Sequence, residues 1–367
     1  MLLLLAVSIS FLVTFILLPL IIKVSKSIDV LDMPDRRKIH KVSTPSLGGI
    51  GIFIGFVMAM LISISFAELA ELKYFLGGVA LIFVLGIRDD IASLQAKHKI
   101  AVQLLCAVLI VFFSGIKLHG LYGILGIHEL PYGIAEFLSV FMIVGFTNSF
   151  NLIDGIDGLA GSLGFIILSL FGWIFLKMEM YSLAIFCLAV SGSLGAFLFF
   201  NWHPSKVFMG DTGSMLLGFI TSVLAIVVIN NAQALVFTEG IIIKSPVALT
   251  IGALSIPIYD TLRVFIIRFS KGQSPLAPDR NHIHHGLLKL GLKHSSATLI
   301  LVGLNLLVLS AVVLLNETLT NGQLIILTAG VMFFFGLVID LLGRRRKFLG
   351  ISSQVKSPKT LYVSKSA

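Results

Sequence analysis

Eleven apolar runs, each close to the length of a membrane-crossing helix, leave this chain few ways to fold. They lie near 2–22, 47–66, 74–87, 100–116, 136–150, 159–177, 181–200, 213–230, 245–268, 297–315 and 322–342. A helix rises 1.5 Å per residue, so about 20 apolar residues cross a bilayer core. Backbone polar groups find no water there, and a helix satisfies them internally. Composition closes the soluble alternative. Of the 367 residues, 57% are hydrophobic and 12% charged, whereas soluble domains carry about 25% charge. The mean hydropathy is +1.03. The expected fold class is all-α: a polytopic integral membrane protein of about eleven transmembrane helices. Residues 1–346 are expected to form one membrane domain and 347–367 a disordered cytoplasmic tail. The first run lacks a basic leader and runs into Pro19 and Lys23, so it reads as a retained helix, not a cleaved signal. Cys106 and Cys187 both lie in apolar runs, which leaves neither a disulfide framework nor a CxxC metal motif.

The net charge is +9. In a soluble protein that excess suggests nucleic acid, but no basic, aromatic-interleaved soluble segment exists to carry such a role. Positive-inside topology explains it better. With eleven spans and the N-terminus outside, 23 of the 27 Lys and Arg fall on the cytoplasmic side. Only Lys73, Lys117, Lys177 and Lys244 remain outside. The acids sort in the same frame. All seven Glu fall at the outer face, and all eleven Asp at the cytoplasmic face or in the inner halves of helices. Helix caps explain a few Asp but not so complete a separation. Short carboxylates gathered on one face suggest a divalent cation that handles phosphates, which requires hard oxygen ligands.

Four constellations stand out. Arg88-Asp89-Asp90 ends the third run; two adjacent carboxylates at a membrane edge need a cation or a donor, and Lys97 and Lys99 are near enough in sequence to answer them. Asn151-Leu-Ile-Asp154-Gly-Ile-Asp157-Gly158 is squeezed between the fifth and sixth runs. If helical, its i, i+3 spacing puts Asp154 and Asp157 on one face, while the glycines let backbone approach a ligand. Phe208-Met-Gly210-Asp211-Thr212-Gly213-Ser214 opens the eighth run. There Asp211 is either an N-cap or a ligand at a helix N-terminus, and Phe208 offers a face for a flat ring. Asp279-Arg280-Asn281-His282-Ile-His284-His285 lies in the longest inner loop. Zinc is one reading of its histidines, but with no Cys nearby a phosphate-binding cluster fits better. Asp260 is three residues from Arg263 and reads by default as half of an intrahelical ion pair. In the first inner loop, Arg36 to Lys41 followed by Thr44-Pro45 and Gly48-Gly49 reads as membrane-surface charge or as a seat for a lipid phosphate.

Taken in this order, the motifs resemble the polyprenyl-phosphate N-acetylhexosamine-1-phosphate transferases, which move a sugar 1-phosphate from a UDP-sugar to undecaprenyl phosphate and release UMP. The resemblance runs from Thr44-Pro45 through His285. Its histidine loop looks like the WecA/TagO branch, which uses UDP-GlcNAc, and not like the MraY branch, which uses UDP-MurNAc-pentapeptide. The match departs at Ser93, where the family often carries a third acidic or amide residue. The resemblance implies Mg²⁺ as cofactor, with Mn²⁺ as a substitute, and Asp211 with Asp154 as metal ligands. It implies catalytic roles for Asp89, Asp90, Asp154, Asp157 and His284, with Asp89 or Asp90 orienting or deprotonating the lipid phosphate. Asn151, Phe208, Asp279, Arg280, His282, His285, Lys41 and Thr44 would contact substrate, Phe208 near uracil. The implied partners are a UDP-sugar, a polyprenyl phosphate and membrane lipids, with a homodimer as a further expectation. The implied location is the bacterial cytoplasmic membrane, with the active site on its inner face. A transporter is the rival from another class, but it expects polar residues near the midplane, and here the acids sit at one interface.

Overall fold

Each apolar run folds as helix over most of its length. The computed structural model describes residues 1–27, 31–32, 44–231, 243–273 and 281–348. In chain order the helices are α1 (Leu2–Ser27), α2 (Gly48–Ser63), α3 (Phe66–Glu71), α4 (Lys73–Ile91), α5 (Ala96–Val108), α6 (Ile134–Ile153), α7 (Leu159–Lys177), α8 (Tyr181–Asn201), α9 (Gly210–Asn231), α10 (Pro246–Ala253), α11 (Ser255–Ser270), α12 (Ile283–Lys289), α13 (His294–Leu315) and α14 (Asn321–Phe348). A π-helical stretch, Leu109–Ser114, extends α5. Among the described residues the strands are β1 (Leu31–Asp32) and β2 (Thr44–Pro45), paired antiparallel. The expected tail falls outside the described residues beyond Phe348, and α14 runs on as far as that residue.

The span count differs from eleven. Among the described residues, eight helices are long and apolar enough to cross a membrane, and α10 with α11 make a ninth if counted as one span. Two runs fall short for physical reasons. The helix α2 has only 16 residues, and α4 carries Lys73, Arg88, Asp89 and Asp90 within 19. The architecture remains an all-α polytopic membrane protein.

The centre of the bundle is α9, buried without interruption from Thr212 to Ile229. Helices α2, α4, α6, α7 and α10 pack around it. Lipid tails are as apolar as leucine, so helices in a membrane gain by close backbone approach through small residues. That is the arrangement here. A Cβ on Gly49 of α2 would stand 2.3 Å from the Gly213 nitrogen, and one on Gly86 of α4 2.3 Å from the Thr212 Cα. On another side, a Cβ on Gly218 would meet the Thr147 Cα of α6 at 2.6 Å. Gly78 of α4 faces Phe219, so α4 and α9 run antiparallel and the last turn of α4 meets the first turn of α9. Around the outside, Leu4, Leu12 and Ile16 of α1 and Phe333 and Phe334 of α14 present apolar surface outward, as lipid requires.

The run at 245–268 is not one straight span. It breaks at Leu254, where α10 and α11 meet at 75°. A break inside lipid frees backbone carbonyls that need donors. Asn305, fully buried in the middle of α13, supplies them. Its Nδ2 donates to Gly252 O at 3.3 Å, Ala253 O at 3.0 Å and Ser255 Oγ at 3.0 Å. At the other end of α10, Asn316 Oδ1 accepts from Ser245 N and Asn321 Oδ1 from Ala248 N. Three asparagines thus satisfy a helix too short to satisfy itself.

Candidate active site

The acidic cluster forms where the last turn of α4, the first turns of α5 and α9 and the last turn of α6 converge. Asp90 explains the convergence. Its carboxylate accepts from Asp211 N at 2.8 Å, Thr212 N at 3.0 Å and Thr212 Oγ1 at 2.5 Å. These are orphan donors of the α9 N-terminus, so the cap comes from another helix, 121 residues away in sequence. The carboxylate of Asp211 is thereby released from capping. Gly210, with φ +73°, makes the close approach feasible, since a Cβ there would lie 2.0 Å from Ser46 O and 2.6 Å from Asp90 Oδ2.

Asp211 is held from two sides. Lys99 Nζ donates to its Oδ2 at 2.8 Å, and Asn151 Nδ2 to its Oδ1 at 2.7 Å. Asn151 also reaches Ser214 Oγ at 3.0 Å. Lys99 forms a second, close ion pair with the buried Asp89, whose Oδ1 accepts from Leu94 N at 2.7 Å. One turn further in, a second polar layer backs the first. Asn148 Nδ2 donates to Gln103 Oε1 at 2.7 Å, and Gln103 Nε2 reaches Met215 Sδ at 3.5 Å. Lys99 and Gln103 are four apart and so are Asp211 and Met215, so each layer takes one residue from each helix face.

Asp154 is the C-cap of α6 and makes no side-chain hydrogen bond among the described residues. Residues 154–158 form a turn rather than helix, so the expected shared face of Asp154 and Asp157 does not exist. Desolvation, then the negative charges of Asp211, Asp90 and Asp157, pushes the Asp154 carboxyl up to about 8. Asp157 contacts His203, Ser205 and His294.

The histidine motif closes on the same turn from another side. A Cβ on Gly155 would lie 2.3 Å from His284 Nε2, so the imidazole packs on bare backbone. His284 is buried and its Nδ1 has no hydrogen-bond partner among the described residues. Burial, then the neighbouring His285, His282 and His294, pushes its pKa well below the usual histidine range. The imidazole is therefore neutral near pH 7. His282 Nδ1 lies 2.7 Å from Asp260 Oδ2, and Asp260 Oδ1 accepts from Ile283 N at 2.6 Å. This corrects the expected Asp260–Arg263 pair: Asp260 anchors the histidine motif, while Arg263 pairs with Asp340 at 2.6 Å. His285 stands beside His284, with ring centroids 4.3 Å apart.

Of the remaining expected substrate contacts, Thr44 is buried in β2, and the neighbouring Pro45 O accepts from Phe208 N at 2.7 Å. Phe208 O in turn accepts from Gly48 N, which fixes the half-buried Phe208 beside the start of α9. Lys41, Asp279 and Arg280 lie outside the described residues. Sequence reasoning gave no catalytic or binding role to Lys99, Gln103 and Asn148, nor to Thr212 and Ser214 within the motif that opens the eighth run. A usable signal existed for Gln103 and Asn148: each is a polar residue inside an apolar run, four positions from Lys99 and three from Asn151.

Residues 72–229, which hold all of the acidic cluster, match glycosyl transferase family 4. The chain is similar to the probable undecaprenyl-phosphate N-acetylglucosaminyl 1-phosphate transferase of Bacillus subtilis (strain 168), at 35% identity over 87% of this chain and 86% of that one. It is 30% identical to the undecaprenyl-phosphate alpha-N-acetylglucosaminyl 1-phosphate transferase of Yersinia pestis, over 81% and 80% of the two chains. With the decaprenyl-phosphate N-acetylglucosaminephosphotransferase of Mycolicibacterium smegmatis it shares 30% identity over 73% of this chain and 71% of that one.

Proposed function

The chain belongs to glycosyl transferase family 4, among the polyprenyl-phosphate N-acetylglucosamine-1-phosphate transferases, and on that footing we propose that it transfers GlcNAc-1-phosphate from UDP-GlcNAc to undecaprenyl phosphate. In this reaction a lipid phosphate oxygen attacks the sugar-bearing phosphorus, the pyrophosphate bond breaks, and UMP leaves with the electron pair. The observation that carries the reading is the release of Asp211. Asp90 caps α9, so the Asp211 carboxylate is available at a helix N-terminus, a position that favours bound phosphate groups.

The residues present fit Mg²⁺. Four carboxylates, Asp89, Asp90, Asp154 and Asp211, lie close together, and among the described residues Lys99 pairs with two of them, Asp89 and Asp211. Desolvation and the neighbouring carboxylates of Asp211, Asp90 and Asp157 raise the Asp154 carboxyl. Such an excess of hard oxygen donors suits a divalent ion, and Asp211 with Asp154 would hold it. When bound, the ion neutralises charge on the pyrophosphate and acts as a Lewis acid. The chain's own residues do the rest. Lys99 holds Asp211 and Asp89 in register and brings positive charge to a site where two anions must meet. Asn151 fixes the orientation of Asp211, and Asp90 positions the helix that carries it. Buried, neutral His284 sets a fixed ring against the turn next to Asp154. The acceptor phosphate is already a competent nucleophile, which favours direct attack over an aspartyl-phosphate intermediate.

The protein acts in the bacterial cytoplasmic membrane with this site on the inner face, a reading supported by the Lys and Arg distribution. Purified protein with undecaprenyl phosphate and a panel of UDP-sugars tests the proposal through released UMP. Mg²⁺-dependent UMP release from UDP-GlcNAc, and none from UDP-MurNAc-pentapeptide, is expected. Turnover of the pentapeptide donor at a comparable rate would move the chain to the MraY-like reading, and solute flux without UMP release would overturn the transferase.

A further inference from the structure

Two histidines outside the acidic cluster meet at Asp157. His203 lies in the connection between α8 and α9, and His294 is the first residue of α13. Nδ1 of His203 is 2.6 Å from Asp157 Oδ2, and Nδ1 of His294 is 3.5 Å from Oδ1. All three ligand atoms lie within 4.8 Å of one another. The imidazole rings are 5.2 Å apart and inclined by only 28°, so both present Nδ1 to one carboxylate. Asp157 and His294 are buried, whereas His203 is exposed. Asp157 is held at side chain and backbone: Ser205 Oγ donates to Oδ1 at 3.1 Å, and Thr298 Oγ1 donates to the Asp157 backbone carbonyl at 2.8 Å. A structural hydrogen bond to Asp157 needs one imidazole. A second, directed at the other oxygen from a different helix, completes a three-sided donor set that opens toward solvent at His203.

We propose that Asp157, His203 and His294 form a binding site for a borderline divalent transition-metal ion such as Zn²⁺, distinct from the oxygen-rich set around Asp211. Zinc bonds of about 2.0–2.1 Å in a tetrahedron place neighbouring ligand atoms about 3.3 Å apart. His203 reaches that spacing by moving outward slightly, which its exposed connection allows. Two imidazole nitrogens select against Mg²⁺, which prefers six oxygens. Three protein ligands leave the fourth position for water. The bound ion would join the 154–158 turn, the α8–α9 connection and α13.

The test is metal binding by tag-free protein in detergent, without substrate, so that it stands or falls apart from the transferase reading. Zn²⁺ titrated against a chromophoric chelator should bind at one ion per chain and resist millimolar Mg²⁺. His203→Ala and His294→Gln should each weaken binding by about 10–100-fold, the cost typical of disturbing a metal site. Co²⁺ in place of zinc should give tetrahedral visible bands, and His203→Cys should retain them while adding a sulfur-to-cobalt charge-transfer band. That variant also guards against misfolding, because it binds only if the other two ligands are in place. Undiminished Zn²⁺ binding in both His203→Ala and His294→Gln would assign the ion to other histidines, such as His282 and His285. That result, no stoichiometric zinc, or displacement by Mg²⁺ overturns the proposal.

Discussion

The two ends of α9 carry polar residues of similar kinds and treat them in opposite ways. At its C-terminal end, Asn230 Oδ1 accepts from His119 N at 3.1 Å and its Nδ2 donates to Lys117 O at 2.7 Å. Lys117 pairs with Glu136 at 2.5 Å, and Glu136 Oε2 accepts from Gly133 N at 2.5 Å. One acid meets one base, and the asparagine spends its groups on two backbone partners and the Tyr122 hydroxyl. At the N-terminal end, Asp89 and Asp211 share one lysine, Asp154 has no donor among the described residues, and Asn151 holds an acid rather than a backbone group. A balanced end serves stability. An end with surplus acid is costly unless a ligand brings the missing charge, and that surplus marks it as the working end.

The comparison breaks first at Asp211. Asp211→Asn keeps the shape, and the cap is unaffected because Asp90 supplies it. Transferase activity should fall on the order of 10²–10³-fold, as when a charge-stabilising group is removed from a reacting centre. UMP release in protein that still elutes as a single folded species checks this, and near-normal turnover would remove Asp211 from the chemistry. The next effect is at Lys99. Lys99→Met leaves Asp89 and Asp211 to repel each other, and activity should fall by about 10–100-fold, as with lost supporting contacts at a metal site. Raising Mg²⁺ should recover part of that loss, since the ion can supply some of the missing positive charge; a loss unaffected by Mg²⁺ would show that Lys99 acts by another route.

A smaller effect is expected from His284 on stability. Its folded pKa lies well below the usual value near 6.5, so below about pH 6.5 the unfolded chain takes a proton that the fold refuses. Stability associated with this residue is present above that pH and is lost as pH falls. Melting in detergent should show Tm declining from pH 7 to 5.5, and His284→Gln should flatten the decline. An unchanged slope would reject the assignment. The smallest effect belongs to the balanced end. Glu136→Gln breaks an ion pair there whose lysine is partly open to water, the kind of pair that contributes little to stability, and should leave transferase activity within about threefold of wild type by the same UMP readout.

What the sequence made legible was whatever a local pattern can carry. Helix formation followed from the apolar runs, and the position of Asp211 followed from Gly210 and the run that begins beside it. The partners were another matter. Asp90 and Asp211 are 121 residues apart, and Lys99 and Asp211 are 112 apart; no spacing rule joins them. The break at Leu254 left no mark, because its run is apolar on both sides and the donor that permits it, Asn305, lies on another helix. The face that Asp154 and Asp157 would share in a helix is absent because residues 154–158, with their two glycines, make a turn. His203 and His294, isolated in sequence, gave no pattern at all.

The burial of α9 also bears on how the protein answers its membrane. Helices whose apolar length differs from the bilayer thickness tilt, or deform the lipid around them, to relieve the mismatch. In this bundle α1 and α14 face the lipid and can take up that strain, whereas α9 has no lipid-facing side from Thr212 to Ile229. It is pinned by the backbone approaches at Gly49, Gly86 and Gly218. Asp211 therefore rides on a shaft insulated from bilayer thickness. Reconstituted into lipids of graded acyl-chain length, the protein should hold its turnover nearly constant where a site borne on a perimeter helix would drift.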